Sequence, residues 1–147
     1  MKVSILGSGK GSNAKAILEA ERNGHLGKAR VVGILCDQPD AKILELGKHY
    51  QLPAVYIHPG RYKTRLSPEA EEEYVAQLQK WGTDLVVLAG FMRCIKEPLL
   101  HAFPNRIINL HPSLLPQYPG LNSIQRAWEA SETKTGCTVH WVNAEID

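Results

Sequence analysis

At 147 residues the chain is long enough for one domain with a buried core. A hydrophobic share of 44%, a charged share of 22% and a net charge of +2 exclude a disordered chain and leave no basic field for nucleic acid or an acidic membrane surface. The three cysteines, Cys36, Cys94 and Cys137, lie far apart with no C-x-x-C pair, which excludes a disulfide framework or a zinc knuckle and points to a reducing compartment.

Short apolar runs alternate with longer amphipathic ones. Lys2–Leu6 (KVSIL) reads as a first strand, and Asn13–Asn23 as a helix with Ala16, Ile17 and Ala20 on one face. Arg30–Leu35 is a second strand and Ala41–Tyr50 a second helix. Ala54–Ile57 is a third strand, entered through Pro53. Pro68–Trp81 is a third helix, with Tyr74, Leu78 and Trp81 at helical spacing. Asp84–Leu88 follows as a fourth strand, Glu97–Ala102 as a short helix and Arg106–Leu110 as a fifth strand. Ser123–Ala130 is helical and Thr138–Val142 is a last strand.

Continuous Val/Ile/Leu strands alternating with helices predict an α/β fold of Rossmann-like type, with a mostly parallel twisted sheet and helices on both faces. Val3–Leu6 is too short for the core of a signal peptide, and Leu85–Met92 is too short to span a bilayer. The expected location is the cytoplasm. In folds of this type, ligands collect beyond the carboxyl ends of the strands. Sites are therefore expected just after Leu6, Leu88 and Leu110.

The first strand leads into Gly7-Ser8-Gly9-Lys10-Gly11-Ser12-Asn13. Glycines permit a tight turn, and a helix start favours an anion, with Ser12 or Asn13 as the N-cap. The sixth position of the dinucleotide fingerprint is Ser12 instead of glycine, and Asp37 lies too far along to serve as its acidic residue. The segment reads either as a cradle for a single phosphate, made by Gly11, Ser12 and Asn13, or as a tight turn without a ligand. After the fourth strand, Ala89-Gly90-Phe91-Met92-Arg93 could line a flat pocket, with Arg93 clasping a carboxylate or a heterocycle edge. The other reading makes Phe91 and Met92 core residues and leaves Arg93 solvated.

The fifth strand ends in Asn109-Leu110-His111-Pro112. Residues two apart on a strand point the same way, so Asn109 and His111 should project together into the crevice. A carboxamide and an imidazole can donate hydrogen bonds to a developing oxyanion, and the imidazole can also supply a proton. The alternative is a satisfied structural histidine. The histidines show neither H-E-x-x-H nor H-x-x-E-H spacing, so no metal site is indicated.

GSGKGSN, LAGFMR and IINLHPSLLPQYPG occur in the order and spacing of the folate-dependent formyltransferases. The chain resembles that superfamily from Lys2 through TGCTVHWVNAEID to Asp147. GSGKGSN favours the branch acting on glycinamide ribonucleotide over the methionyl-tRNA branch. The resemblance implies the formyltransferase fold and transfer of a formyl group from 10-formyltetrahydrofolate to the amine of glycinamide ribonucleotide in purine biosynthesis. It implies no metal, small-molecule substrates only, no nucleic acid or membrane partner, and a monomer or homodimer. By resemblance Asn109, His111 and Asp147 are catalytic, and Gly11, Ser12 and Asn13 hold the substrate phosphate. Met92, Arg93, Cys94 and Ile95, with Val142, Asn143, Ala144 and Glu145, line the folate site.

The chain departs from the family pattern in having Asn122 where relatives usually have histidine, and in stopping at Asp147 where they continue. Residues 1–147 are accordingly expected to be one formyltransferase domain lacking its C-terminal part. Ser123–Ala127 resembles methionyl-tRNA formyltransferase, which keeps another folate-dependent formyltransferase or a deformylase as an alternative. A truncated relative that binds without turnover is a further alternative, and Ser12 counts against a nicotinamide-dependent oxidoreductase.

Overall fold

The computed structural model describes residues 1–145. The chain runs as β1 (Lys2–Gly7), α1 (Ser12–Arg22), β2 (Arg30–Cys36), a 3₁₀ turn at Lys42–Leu44, α2 (Glu45–Tyr50) and β3 (Ala54–Tyr56). It continues as α3 (Pro68–Lys80), β4 (Leu85–Leu88), α4 (Glu97–Ala102), β5 (Ile107–His111), α5 (Ser123–Glu129) and β6 (Thr138–Trp141). The strands form one sheet in the order β3-β2-β1-β4-β5-β6. The first five are mutually parallel, and β6 runs antiparallel to β5.

Strand period and helix stripe explain the two layers. On one side of the sheet Leu6, Leu35, Val86, Leu88 and Ile107 meet Tyr74 and Leu78 of α3 and Leu99 of α4. On the other side Ile5, Ile34 and Cys36 meet Ala14 and Leu18 of α1 and Ile43 of the 3₁₀ turn. Trp81, at the end of α3, packs against Gly33 of β2, where a Cβ would collide with the indole ring.

Two local expectations are corrected. The buried stripe of α1 is Ala14 and Leu18, with Ile17 half-buried and Ala16 exposed. The preceding loop sets which face of that helix meets the sheet, and composition does not reveal this. The segment 41–50 is also no single helix, because it enters through the 3₁₀ turn that carries Ile43 under the glycine loop. The remaining elements lie within a residue or two of their expected bounds.

Candidate active site

The sheet order places the ends of β1, β4 and β5 side by side, and the chain reverses its direction of travel between β1 and β4. At such a point the strand ends leave a crevice. The loops after β1 and β4 are joined across it. Ser8 N–H donates to the Gly90 carbonyl at 3.1 Å, and Met92 N–H donates to Ser8 Oγ at 2.9 Å.

The glycine loop is shaped by what lies beneath it. Gly11, buried and at φ +79°, is the N-cap of α1. A Cβ there would lie 2.9 Å from Ile43 Cγ1, so both conformation and space require glycine. Neither Ser12 nor Asn13 is the N-cap, contrary to expectation: both are exposed first-turn residues, and the N-cap Gly11 offers no side chain. The first-turn N–H groups of a helix have no intrahelical acceptor, and with the helix dipole they suit an anion. Ile43 N–H, donating to the Gly9 carbonyl at 3.1 Å, pins the loop.

Beyond β4 the four residues singled out in sequence separate. Met92 is exposed and Ile95 lies in the core, while Cys94 is half-buried, its N–H bound to the Thr64 carbonyl at 2.8 Å. Arg93 turns inward, with Nε 2.8 Å from Asp37 Oδ2 and Nη1 2.5 Å from the Tyr62 carbonyl. Asp37 is thereby occupied by an arginine, and no ribose hydroxyl is needed to explain it.

Asn109 and His111 lie on the same side of β5 as Ile107, by strand alternation. Asn109 is half-buried and His111 is 4% exposed. Asn109 stands opposite His140 in the β5–β6 register, and its Nδ2 lies 3.2 Å from His140 Nε2. His140 Nδ1 is 3.1 Å from the Trp141 carbonyl, which can only accept. Nδ1 of His140 therefore carries a proton, and Nε2 accepts from the Asn109 amide. His111 Nε2 donates in turn to the Tyr118 carbonyl at 2.9 Å. A carboxamide donor and an imidazole with a fixed proton thus share one strand end.

The sequence model of the family described as Formyl transferase matches residues 1–147. The chain belongs to the formyl transferase family. It is 36% identical to the phosphoribosylglycinamide formyltransferase of Bacillus subtilis, over 99% of this chain and 73% of that protein. It is 37% identical to a trifunctional purine biosynthetic protein of Drosophila melanogaster, over 99% of this chain and 11% of that protein. The crystal structure of glycinamide ribonucleotide transformylase 1 from Symbiobacterium toebii superposes with a TM-score of 0.92 at 41% identity, covering 100% of this chain and 68% of that one.

The remaining residues singled out in the sequence, 142–145, follow β6. Val142 N–H donates to the Ile107 carbonyl at 2.8 Å, which anchors the segment to β5. Ala144 and Glu145 are exposed, and Asn143 Oδ1 accepts from Glu145 N–H at 2.8 Å. Asp147 lies outside the described residues. Asn122 begins α5 in a left-handed conformation at φ +57°. It lines a groove of about 540 Å³ with Pro112, Ser123, Ile124, Gln125 and Trp128, beside the end of β5.

Two residues that sequence reasoning missed support the pair. His140 holds the Asn109 amide. Arg126 of α5 reaches back to the carbonyls of Pro119 and Leu121, at 2.5 and 3.1 Å, and so braces the loop whose Tyr118 carbonyl holds His111. The T-V-H-W stretch read only as a strand, although its histidine follows the same alternation that flagged Asn109. Among the described residues no group of three or more His, Cys, Asp or Glu side chains could hold a metal ion. No described helix is long and apolar enough to cross a membrane.

Proposed function

We propose that this protein transfers the formyl group of 10-formyltetrahydrofolate to the amine of glycinamide ribonucleotide in purine biosynthesis. The observation that carries the proposal is the Asn109–His111 pair at the carboxyl edge of β5, within a chain that matches the formyl transferase family along its whole length. The similarity to the phosphoribosylglycinamide formyltransferase of Bacillus subtilis and to glycinamide ribonucleotide transformylase 1 of Symbiobacterium toebii supports the choice of acceptor.

The reaction needs three things from the protein. The amine lone pair attacks the formyl carbon, a C–N bond forms and the carbonyl electrons move to oxygen. The Asn109 amide N–H and the His111 imidazole are the donors for that oxyanion, each already fixed by a hydrogen bond of its own. The oxyanion then collapses, and the bond from the formyl carbon to the folate nitrogen breaks. The attacking amine gives up a proton to water, the leaving nitrogen gains one from His111, and the proton taken up by water is returned to His111. Asp147 is assigned the task of orienting His111 and favouring its charged form. The first turn of α1, from Gly11 through Asn13, receives the substrate phosphate. Residues 92–95 and 142–145 flank the folate.

The test is direct. The purified protein is given both substrates, and formylated ribonucleotide and tetrahydrofolate are measured together. Equal yields of the two products are expected. Tetrahydrofolate without formylated acceptor would indicate a deformylase instead, and absence of both would reject the proposal.

A further inference from the structure

We propose that Asp37 is a positioning residue for folate: acting through Arg93, it fixes the course of residues 92–95. This rests on the function proposed above, which assigns that segment to the folate.

Asp37 follows β2 directly, and its side chain is 0% exposed. Its Oδ2 accepts from Arg93 Nε at 2.8 Å and from Gln38 Nε2 at 3.3 Å. Among the described residues its Oδ1 is buried with no hydrogen-bond partner, as is the hydroxyl of Tyr74. A buried carboxylate oxygen without a partner is costly, and a buried ion pair is seldom better for stability than an apolar pair of the same size. Stability alone is thus a poor reason for this carboxylate, whereas geometry is a good one.

The arginine fork holds two directions at once. With Nε on Asp37 and Nη1 on the Tyr62 carbonyl, Arg93 ties the end of β2 and the loop after β3 to the segment after β4. On either side of Arg93 the backbone is tethered by single bonds, Met92 N–H to Ser8 Oγ and Cys94 N–H to the Thr64 carbonyl. Arg93 is the side chain between these tethers, so its direction sets how the intervening peptides face the crevice. Asp37 itself is fully buried, so it acts through Arg93.

Asp37→Asn keeps an acceptor oxygen but removes the charge that holds the guanidinium. The expected result is a KM for 10-formyltetrahydrofolate raised between about 10- and 100-fold, the range a displaced binding group costs, with the KM for glycinamide ribonucleotide nearly unchanged. Arg93→Lys keeps the charge and gives up the fork, so it should fold and show the same selective rise. The double variant Asp37→Asn/Arg93→Gln removes both charges. It should regain thermal stability without regaining folate affinity.

Parallel rises in both KM values, or recovery of folate affinity in the double variant, would show a merely structural pair and overturn the proposal. Folate affinity untouched in Arg93→Lys and Asp37→Asn would overturn it as well. An unmodified protein that binds no folate overturns the proposed function and this inference with it. Normal folate binding, not selectively weakened by the variants, overturns this inference alone.

Discussion

Asn109 and His140 face each other across the β5–β6 pair, with the asparagine amide nitrogen 3.2 Å from Nε2 of the histidine. The Trp141 carbonyl holds the other ring nitrogen, so the imidazole presents an acceptor to Asn109 and fixes which way its carboxamide faces.

His140→Phe should therefore lower kcat with little change in either KM, because it removes the orientation of a donor and leaves the donor in place. The loss should be smaller than that of Asn109→Ala, which removes an oxyanion donor at a cost of about 10²–10³ in kcat. Single-turnover rates for the two variants test the order. An equal loss would place His140 in contact with the reacting atoms.

His111→Ala should abolish most turnover, by about 10²–10⁴ for loss of a proton donor. Binding of glycinamide ribonucleotide, measured by calorimetry, should survive. His111 is buried and bonded to the Tyr118 carbonyl, so the same variant should also unfold more easily, by about 1–3 kcal/mol for the stranded acceptor. Arg126→Gln loosens the Tyr118 loop without touching His111, and should lower kcat more than it lowers stability.

Glu71 of α3 is 1% exposed, and its Oε1 accepts from the N–H groups of Lys96 and Leu99 at 3.0 and 2.9 Å. It thus caps α4 from a neighbouring helix. Burial pushes this carboxyl above its ordinary 4.5, against the pull of the two N–H groups. The folded chain holds the proton more tightly than the unfolded one. The group accordingly favours folding most at acid pH, and that contribution is lost as pH rises from the unfolded value through the raised folded one. Glu71→Gln never ionises, so it should flatten the fall in stability as pH rises from the ordinary carboxyl range to neutrality, and be at least as stable as the parent at neutrality. Glu71→Ala loses the cap and should cost about 0.5–2 kcal/mol. Denaturant unfolding across that pH range checks both.

Gly33→Ala should destabilise the fold by about 1–3 kcal/mol, because the new methyl collides with the Trp81 ring. In a Trp81→Ala background the same substitution should cost much less. Additive effects of the two changes would show that the contact is not the cause.

Strand alternation made much of the site legible in advance. Ile107-Ile108-Asn109-Leu110-His111 shows by its period that the two polar side chains share a face, and β5 carries them that way. The glycine loop was equally legible as a turn. Its cap was not, because Gly11 is forced by Ile43, which lies 32 residues along the chain and beneath it. Whether Arg93 faces a ligand or solvent stayed open in the sequence, and its ion pair with Asp37 was not legible, because Asp37 is 56 residues away on a different strand end.

By itself the sequence determined the strand and helix alternation, the three loops that meet at the carboxyl edge, and the family. These depend on hydrophobic period and on local spacing, which the chain carries in order. Only the tertiary structure decided which polar groups are already spoken for: Arg93 by Asp37, Asn109 by His140, His111 by Tyr118. The physical reason is that a hydrogen bond forms between neighbours in space, and parallel strands place as neighbours residues that the sequence keeps far apart.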